Sequence, residues 1–443
     1  MRSAHGSAAA TGPALSGPRR KLQAAADFFV RQRHLAAIRD GVVGALPLVL
    51  IGSVFLLAAQ PPSAALQQWV APYSPSLLVP YRMLGGLISV YVAFSAAHSL
   101  AKSYGLDPMA AGLLAIACLF VAAVPSAQPA ELAAYLPVQR LGAGGIFAAL
   151  AIAIGTVELS HFFVRRRWTI RLPTSAPEIV VRSFLALIPG FASVLLVFLV
   201  VQALKIDLIS LLQSLANPFL KATGSLPAAL AIVAVDSALW LLGVHASAAL
   251  GTMKPLWEAM LVQNMEAASG GIAPLPHIAT LHFYLWFVWQ GGSGAALPLA
   301  LLLLRARSSQ LKGVARLGIF PAVCNISEPI LFGAPVVLNA TLAVPFFAAP
   351  LATAVISYVA FQLNWVTRPY LEVPWTLPAP AGAFFSTGGD YRAVILQLLN
   401  LAVGLMVYWP FVRRYDRALL RAEASVARSE GSGPTLLSGG QTP

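Results

Sequence analysis

GVVGALPLVLIGSVFLLAAQ, residues 41–60, contains no Asp, Glu, Lys or Arg. A helix needs about 20 residues to cross the hydrocarbon core of a bilayer. Lipid offers no partner to a backbone amide, so a spanning segment is either a helix or a strand of a closed barrel, and this run lacks a barrel strand's alternation. It therefore reads as a transmembrane helix. The pattern recurs, because no charge interrupts 41–81, 108–130, 183–204, 329–367 or 393–412. Hydrophobic residues make up 58% and charged residues 10%, and the mean hydropathy is +0.76, beyond the range of soluble domains. The fold class is all-α: a polytopic transmembrane bundle of about eight to ten membrane helices, with re-entrant hairpins and interfacial helices.

The formal net charge is +13. In a soluble chain this would point to nucleic acid, but here the cations gather at the ends of apolar runs, where they set topology. Four clusters read as cytoplasmic: Arg19 to Arg39, Arg165 to Arg171, Arg305 to Arg316 and Arg413 to Arg421. Crossings at roughly 41–60, 83–102, 108–128 and 143–164 separate the first two, and both termini then face the cytoplasm. Residues 1–18 and 424–443 are expected to be disordered tails, and 1–18 lacks the apolar core of a cleaved signal.

An amphipathic helix is expected over 22–38, and a second interfacial helix from Pro177–Glu178 leads into a span at 188–204. Further spans fall at 227–246, 279–304, 340–362 and 391–412, with an irregular or re-entrant stretch before 278. Gly270, Gly271, Pro274, Pro276 and Gly291 to Gly294 forbid one straight helix there. Cys118 and Cys324 read as buried packing residues, too few for a disulfide framework or a zinc site, and no metal or cofactor is expected.

Ionisable groups at bilayer depth cost about 2.5–3.5 kcal/mol or more each, so those present are functional candidates. Glu158 lies close enough to Arg165 to reach the interface, and Lys254 can snorkel. Asp236 and His245 lie nine residues apart in VDSALWLLGVHASAALG and face opposite sides of an ideal helix, unless Gly243 breaks it. His245 reads as a ligand contact and Asp236 as a support acting through a hydrogen bond or a nearby cation. Glu328 is the strongest candidate. It sits in NISEPILFGAP, residues 325–335, where Pro329 and Pro335 leave backbone carbonyls unpaired. Irregular backbone at that depth is tolerated where it lines a polar cavity, as in transporters. There a carboxylate can accept two hydroxyl groups, and Asn325 can both donate and accept.

GIFPAVCNISEPILFGAPVVLNATLAVPFFAAP, residues 318–350, resembles the signature of the enzyme IIC sugar permeases of the bacterial phosphotransferase system, lactose/cellobiose/diacetylchitobiose type. Supporting matches are AIRDGVVGALPLVLIGS from Ala37, ISVYVAFSAAHSLAKSYGLDP from Ile88, LLGVHASA from Leu241, GGSGAALPLAL from Gly291 and VPWTLPAPAGAFFSTGGDYRAVILQLLN from Val373. The resemblance covers roughly residues 20–415. It implies a homodimeric permease set in membrane lipid, with two re-entrant hairpins, a scaffold and dimerisation part over about 19–230 and a transport part over about 231–423. The chain would take up a β-linked disaccharide for phosphorylation by a separate, phosphorylated enzyme IIB.

Carried over residue by residue, the family's sugar-contacting histidine falls on His245, its essential glutamate on Glu328 and the motif asparagine on Asn325, while Trp375 would be a stacking platform. Ser327 stands where the family often has a second asparagine, Ala340 where Asn-Pro is usual and Ala246 where glycine is common, which puts the identity of the sugar in question. Glu328 and His245 are expected at the phosphoryl-accepting hydroxyl, with His245, Asn325, Ser327, Glu328 and Trp375 around the sugar. An ion-coupled sugar transporter using Glu328 and Asp236 as proton carriers is the rival reading.

Overall fold

A computed structural model describes residues 32–431 apart from 62–63, 125–137, 171–172, 174–177, 244–245, 247–249, 335 and 337–338. Every regular element among the described residues is helical. The principal helices are α1 (Arg33–Ala59), α2 (Ser74–Leu84), α3 (Ile88–Ser103), α4 (Pro108–Ala123), α5 (Ile146–Arg165), α6 (Glu178–Phe198), α7 (Leu208–Thr223) and α8 (Leu226–Leu241). They continue with α9 (Lys254–Ser269), α10 (Ala296–Leu304), α11 (Ser309–Val323), α12 (Glu328–Gly333), α13 (Ala340–Gln362), α14 (Ala379–Ser386) and α15 (Tyr391–Gly431).

Among the described residues, six segments are long and apolar enough to cross a bilayer: Arg33–Ala59, Ser74–Ser103, Ala143–Arg165, Phe184–Ala203, Thr341–Gln362 and Tyr391–Arg421. A pair bent by 69°, Leu208–Thr223 with Leu226–Leu241, and the shorter Pro108–Ala123 make eight membrane elements. At 16 residues, α4 spans about 24 Å, less than the hydrocarbon thickness.

Several boundaries depart from expectation. The interfacial helix foreseen at Pro177–Glu178 does not stop before the membrane, because α6 runs unbroken from Glu178 into the span. Helix α7 occupies a stretch without a predicted element; Asp207 caps it by accepting from the Ser210 amide at 3.1 Å. The single span expected at 279–304 is two short pieces, Leu281–Val288 and Ala296–Leu304, with a turn between them. Helix α15 continues to Gly431, inside the expected C-terminal tail. Residues 33–38 of the expected amphipathic helix belong to α1, and 22–31, like the tails 1–18 and 432–443, lie outside the described residues.

One apolar core joins α1, α3, α4 and α5. Its helices approach closely through small side chains. A Cβ placed on Gly41 would lie 2.7 Å from the Ala96 Cβ, so glycine sets the α1–α3 distance, as small residues do between membrane helices. Two further cores lie in the second half, one around Phe283, Trp286, Phe287 and Phe361, the other around Leu299, Leu331, Phe346 and Tyr408.

Candidate functional site

The site begins where α11 ends. Asn325 has φ +63°, and its amide donates to the Ala322 carbonyl at 3.1 Å while the Ile326 amide donates to Pro321 at 2.9 Å. These two bonds close a helix with a left-handed residue after its cap, a place filled by glycine or, as here, asparagine. The Asn325 side chain then ties three segments together. Its Oδ1 accepts from the Gly291 amide at 3.1 Å, and its Nδ2 donates to the carbonyls of Trp375 at 2.8 Å and Leu377 at 2.9 Å. Both amide hydrogens, expected to be available to a sugar, are therefore engaged with backbone.

The next residues open the short helix α12. Ser327, its N-cap, is buried, and its carbonyl accepts from the Ile330 and Leu331 amides, each at 3.0 Å. Glu328 is the first helical residue and is half-buried. Facing this loop is the turn between the two short helical pieces. Gly292 there has φ +99°, and a Cβ on it would lie 2.6 Å from Ser327 Oγ. Only glycine supplies both that backbone and that clearance.

Asp236 supports the same turn from α8. Its carboxylate accepts from Ser293 Oγ at 3.1 Å, and the residue is 3% exposed, which is the hydrogen-bonded support expected of it. Helix α8 stops at Leu241, with Gly243 at φ +77°, so the chain breaks at the foreseen glycine. His245 lies outside the described residues. The structure thus gathers Asn325, Ser327, Glu328 and the backbone of Trp375. The Trp375 ring stands 53% exposed.

Sequence reasoning passed over the strap that holds Trp375. The Glu372 amide donates to Ser53 Oγ of α1 at 3.0 Å, and the Val373 amide donates to His282 Nε2 at 3.3 Å. That ring nitrogen accepts, which leaves its proton on Nδ1. His282 Nε2 also lies 3.7 Å from the Glu372 carboxylate. Glu258 on α9 is 1% exposed, and among the described residues neither of its carboxylate oxygens meets a donor. Burial pushes the Glu258 and Glu372 carboxyls above the usual range, the charge of Glu258 raises Glu372 further, and Lys254 opposes both shifts. One partner left a signal: His282 is a histidine within the apolar run IATLHFYLWFV, residues 278–288. Cys118 is buried and Cys324, expected to be buried too, is half-buried. Among the described residues no group of three or more His, Cys, Asp or Glu could hold a metal.

The profile of the family described as "Phosphotransferase system, EIIC" matches residues 39–350. The chain is 34% identical to the PTS system cellobiose-specific EIIC component of Geobacillus stearothermophilus, over 95% of this chain and 96% of that protein. It is likewise 34% identical to the lichenan permease IIC component of Bacillus subtilis (strain 168), over 91% of this chain and 94% of that protein. The crystal structure of the transporter ChbC, the IIC component of the N,N'-diacetylchitobiose-specific phosphotransferase system, aligns with a TM-score of 0.83 at 31% identity, over 92% of this chain and 99% of that one.

Proposed function

This chain belongs to the phosphotransferase-system EIIC family of membrane sugar permeases, and on that premise we propose that it carries a β-linked disaccharide across the bacterial inner membrane for phosphorylation by a separate enzyme IIB. The sugars in the relatives' names, cellobiose, lichenan and N,N'-diacetylchitobiose, share that linkage, and a sugar of this class is our reading for this chain. The observation that supports the site is the convergence of three segments on Asn325, three residues before Glu328.

Glu328 orients a primary sugar hydroxyl and takes its proton, and His245 gives a second hydrogen bond. The hydroxyl oxygen attacks the phosphorus of a phosphocysteine on enzyme IIB, the P–O bond forms, the P–S bond breaks and the thiolate leaves on the partner. Asn325 and Ser327 hold the shape of the loop, and Trp375 offers a ring face to the pyranose. Cys118 is buried within α4, which favours a donor on another polypeptide. The assembly is a homodimer with cytoplasmic termini, the part after about residue 231 moving against the part before it.

Proteoliposomes containing the purified chain, supplied with phosphorylated enzyme IIB on the cytoplasmic side, are expected to convert external disaccharide into internal sugar phosphate. Accumulation of unmodified sugar driven by a pH gradient alone would overturn this reading.

A further inference from the structure

A groove of about 910 Å³ lies between the end of α3, the start of α4, the end of α5 and the middle of α6. Its two ends differ. Helices α4 and α6 run parallel, since Gln202 just beyond α6 donates through Nε2 to the carbonyl of Val124 just beyond α4 at 3.0 Å. Lys102, Asp107, Val164 and Leu185 therefore share one rim, and Leu114, six residues into α4, lies about 9 Å deeper in the same groove.

The deeper part is apolar, walled by Leu114, Phe191 and Val194, with room left by Gly190. A Cβ on Gly190 would meet only Leu114, at 3.7 Å. Pro189 in this wall lacks the N–H that would pair with the Leu185 carbonyl.

Lys102 lines the rim, and the exposed Arg165, Arg166 and Arg167, which do not line the groove themselves, follow Val164 in the chain. Asp107 is the acid among the described lining residues, and its Oδ1 is occupied in capping α4, accepting from the Met109 amide at 2.9 Å and the Ala110 amide at 3.2 Å. An aromatic knot marks this level as the membrane surface. Trp168 packs edge-on against Phe162 and Phe163, each at 5.9 Å, and the Arg166 guanidinium sits 5.6 Å over the Phe162 ring. An apolar slot with Lys102 at its rim and the exposed Arg165–Arg167 following Val164 at headgroup height complements an amphiphile with a single anionic end.

We propose that this groove is a binding site for an anionic phospholipid of the surrounding bilayer, with the phosphate at Lys102 and toward Arg165–Arg167 and the acyl chains against Leu114, Phe191 and Val194. The site is independent of the sugar reading.

The test uses the full chain purified in mild detergent. Retained lipid is quantified by mass spectrometry after exchange into mixed phosphatidylcholine and phosphatidylglycerol micelles. Phosphatidylglycerol is expected to be retained over phosphatidylcholine and to raise the melting temperature, with inorganic phosphate leaving it unchanged. Lys102→Gln and Arg165→Gln should each lower phosphatidylglycerol retention about five-fold, as expected for one basic residue at an anionic surface, with disaccharide binding unchanged as the check on folding. Gly190→Leu should expel both lipids. Equal retention of the two lipids by the unaltered chain, or undiminished phosphatidylglycerol in the Gln variants, would overturn the proposal. So would a Gly190→Leu protein that keeps its lipid and changes oligomeric mass, since the face would then join two copies.

Discussion

The first half of the chain and the second solve the membrane problem in opposite ways. Helices α1, α3 and α5 are continuous and close-packed through Gly41, Ala96, Ala97 and Ala149, and their polar contacts gather at the ends, where Glu158 accepts from His34 Nε2 at 2.8 Å and from Tyr104 Oη at 2.5 Å. The second half breaks its helices at Gly243, at Gly291–Gly294 and at Asn325, and buries Asp236, Glu258 and His282. Continuous helices satisfy their own amides and have nothing left to offer a ligand. Broken ones expose backbone and need side chains such as Asn325 to hold the breaks, which leaves polar groups converging on a site.

The variant with the largest expected effect removes the chemistry and spares the shape. Glu328→Gln should cut sugar-phosphate formation by about 100- to 10,000-fold, measured with phosphorylated enzyme IIB, while sugar titration shows binding retained or weakened. Normal turnover would deprive the broken half of its proposed catalytic group.

A pair of glycine substitutions addresses the two architectures directly. Gly41→Leu overpacks α1 against Ala96 and should lower stability by about 1–3 kcal/mol, seen as a lower melting temperature without a change in sugar preference. Gly292→Ala places a Cβ against Ser327 at a left-handed residue, also about 1–3 kcal/mol, and should be read out as lost sugar affinity. If Gly292→Ala lowered the melting temperature alone and left affinity intact, the turn would be packing and the contrast between the halves would blur.

Asn325→Asp comes next. It keeps the acceptor for Gly291 and loses both donors to Trp375 and Leu377. Releasing the strap should weaken sugar binding about 10-fold, about the worth of one to two hydrogen bonds, by isothermal titration.

The continuous helices were legible in the sequence, in both halves of the chain. Uncharged runs of span length announce helices whatever their neighbours do, so α1, α5, α13 and the start of α15 fall close to where hydropathy puts them. The short pieces were harder. Leu281–Val288 and Ala296–Leu304 read as one span because their glycines permit a break without dictating it, and α7 is amphipathic, bent against α8, with too little continuous apolar sequence to declare itself. At the site, Glu328 and Asp236 were visible as charges out of place. The strap was not, since Ser53, His282 and Glu372 meet only after folding, across 319 residues in the case of Ser53 and Glu372. Asn325 was noticed for its amide, and its left-handed backbone, which decides what that amide reaches, needed the structure.

Asp236→Asn should have the smallest effect and therefore separates two accounts of a buried charge. Asparagine keeps an oxygen to accept the Ser293 hydroxyl and lowers the cost of placing a charge in α8. If Asp236 only braces the glycine turn, affinity and sugar-phosphate formation should stay within about three-fold of the unaltered protein, below the worth of one hydrogen bond. Asp236→Ala, which removes the brace, should cost more than the asparagine variant in the same titration. A collapse of activity in Asp236→Asn with binding intact would mean that the charge itself acts during transport. The broken half would then contain a second working carboxylate rather than one carboxylate and its support.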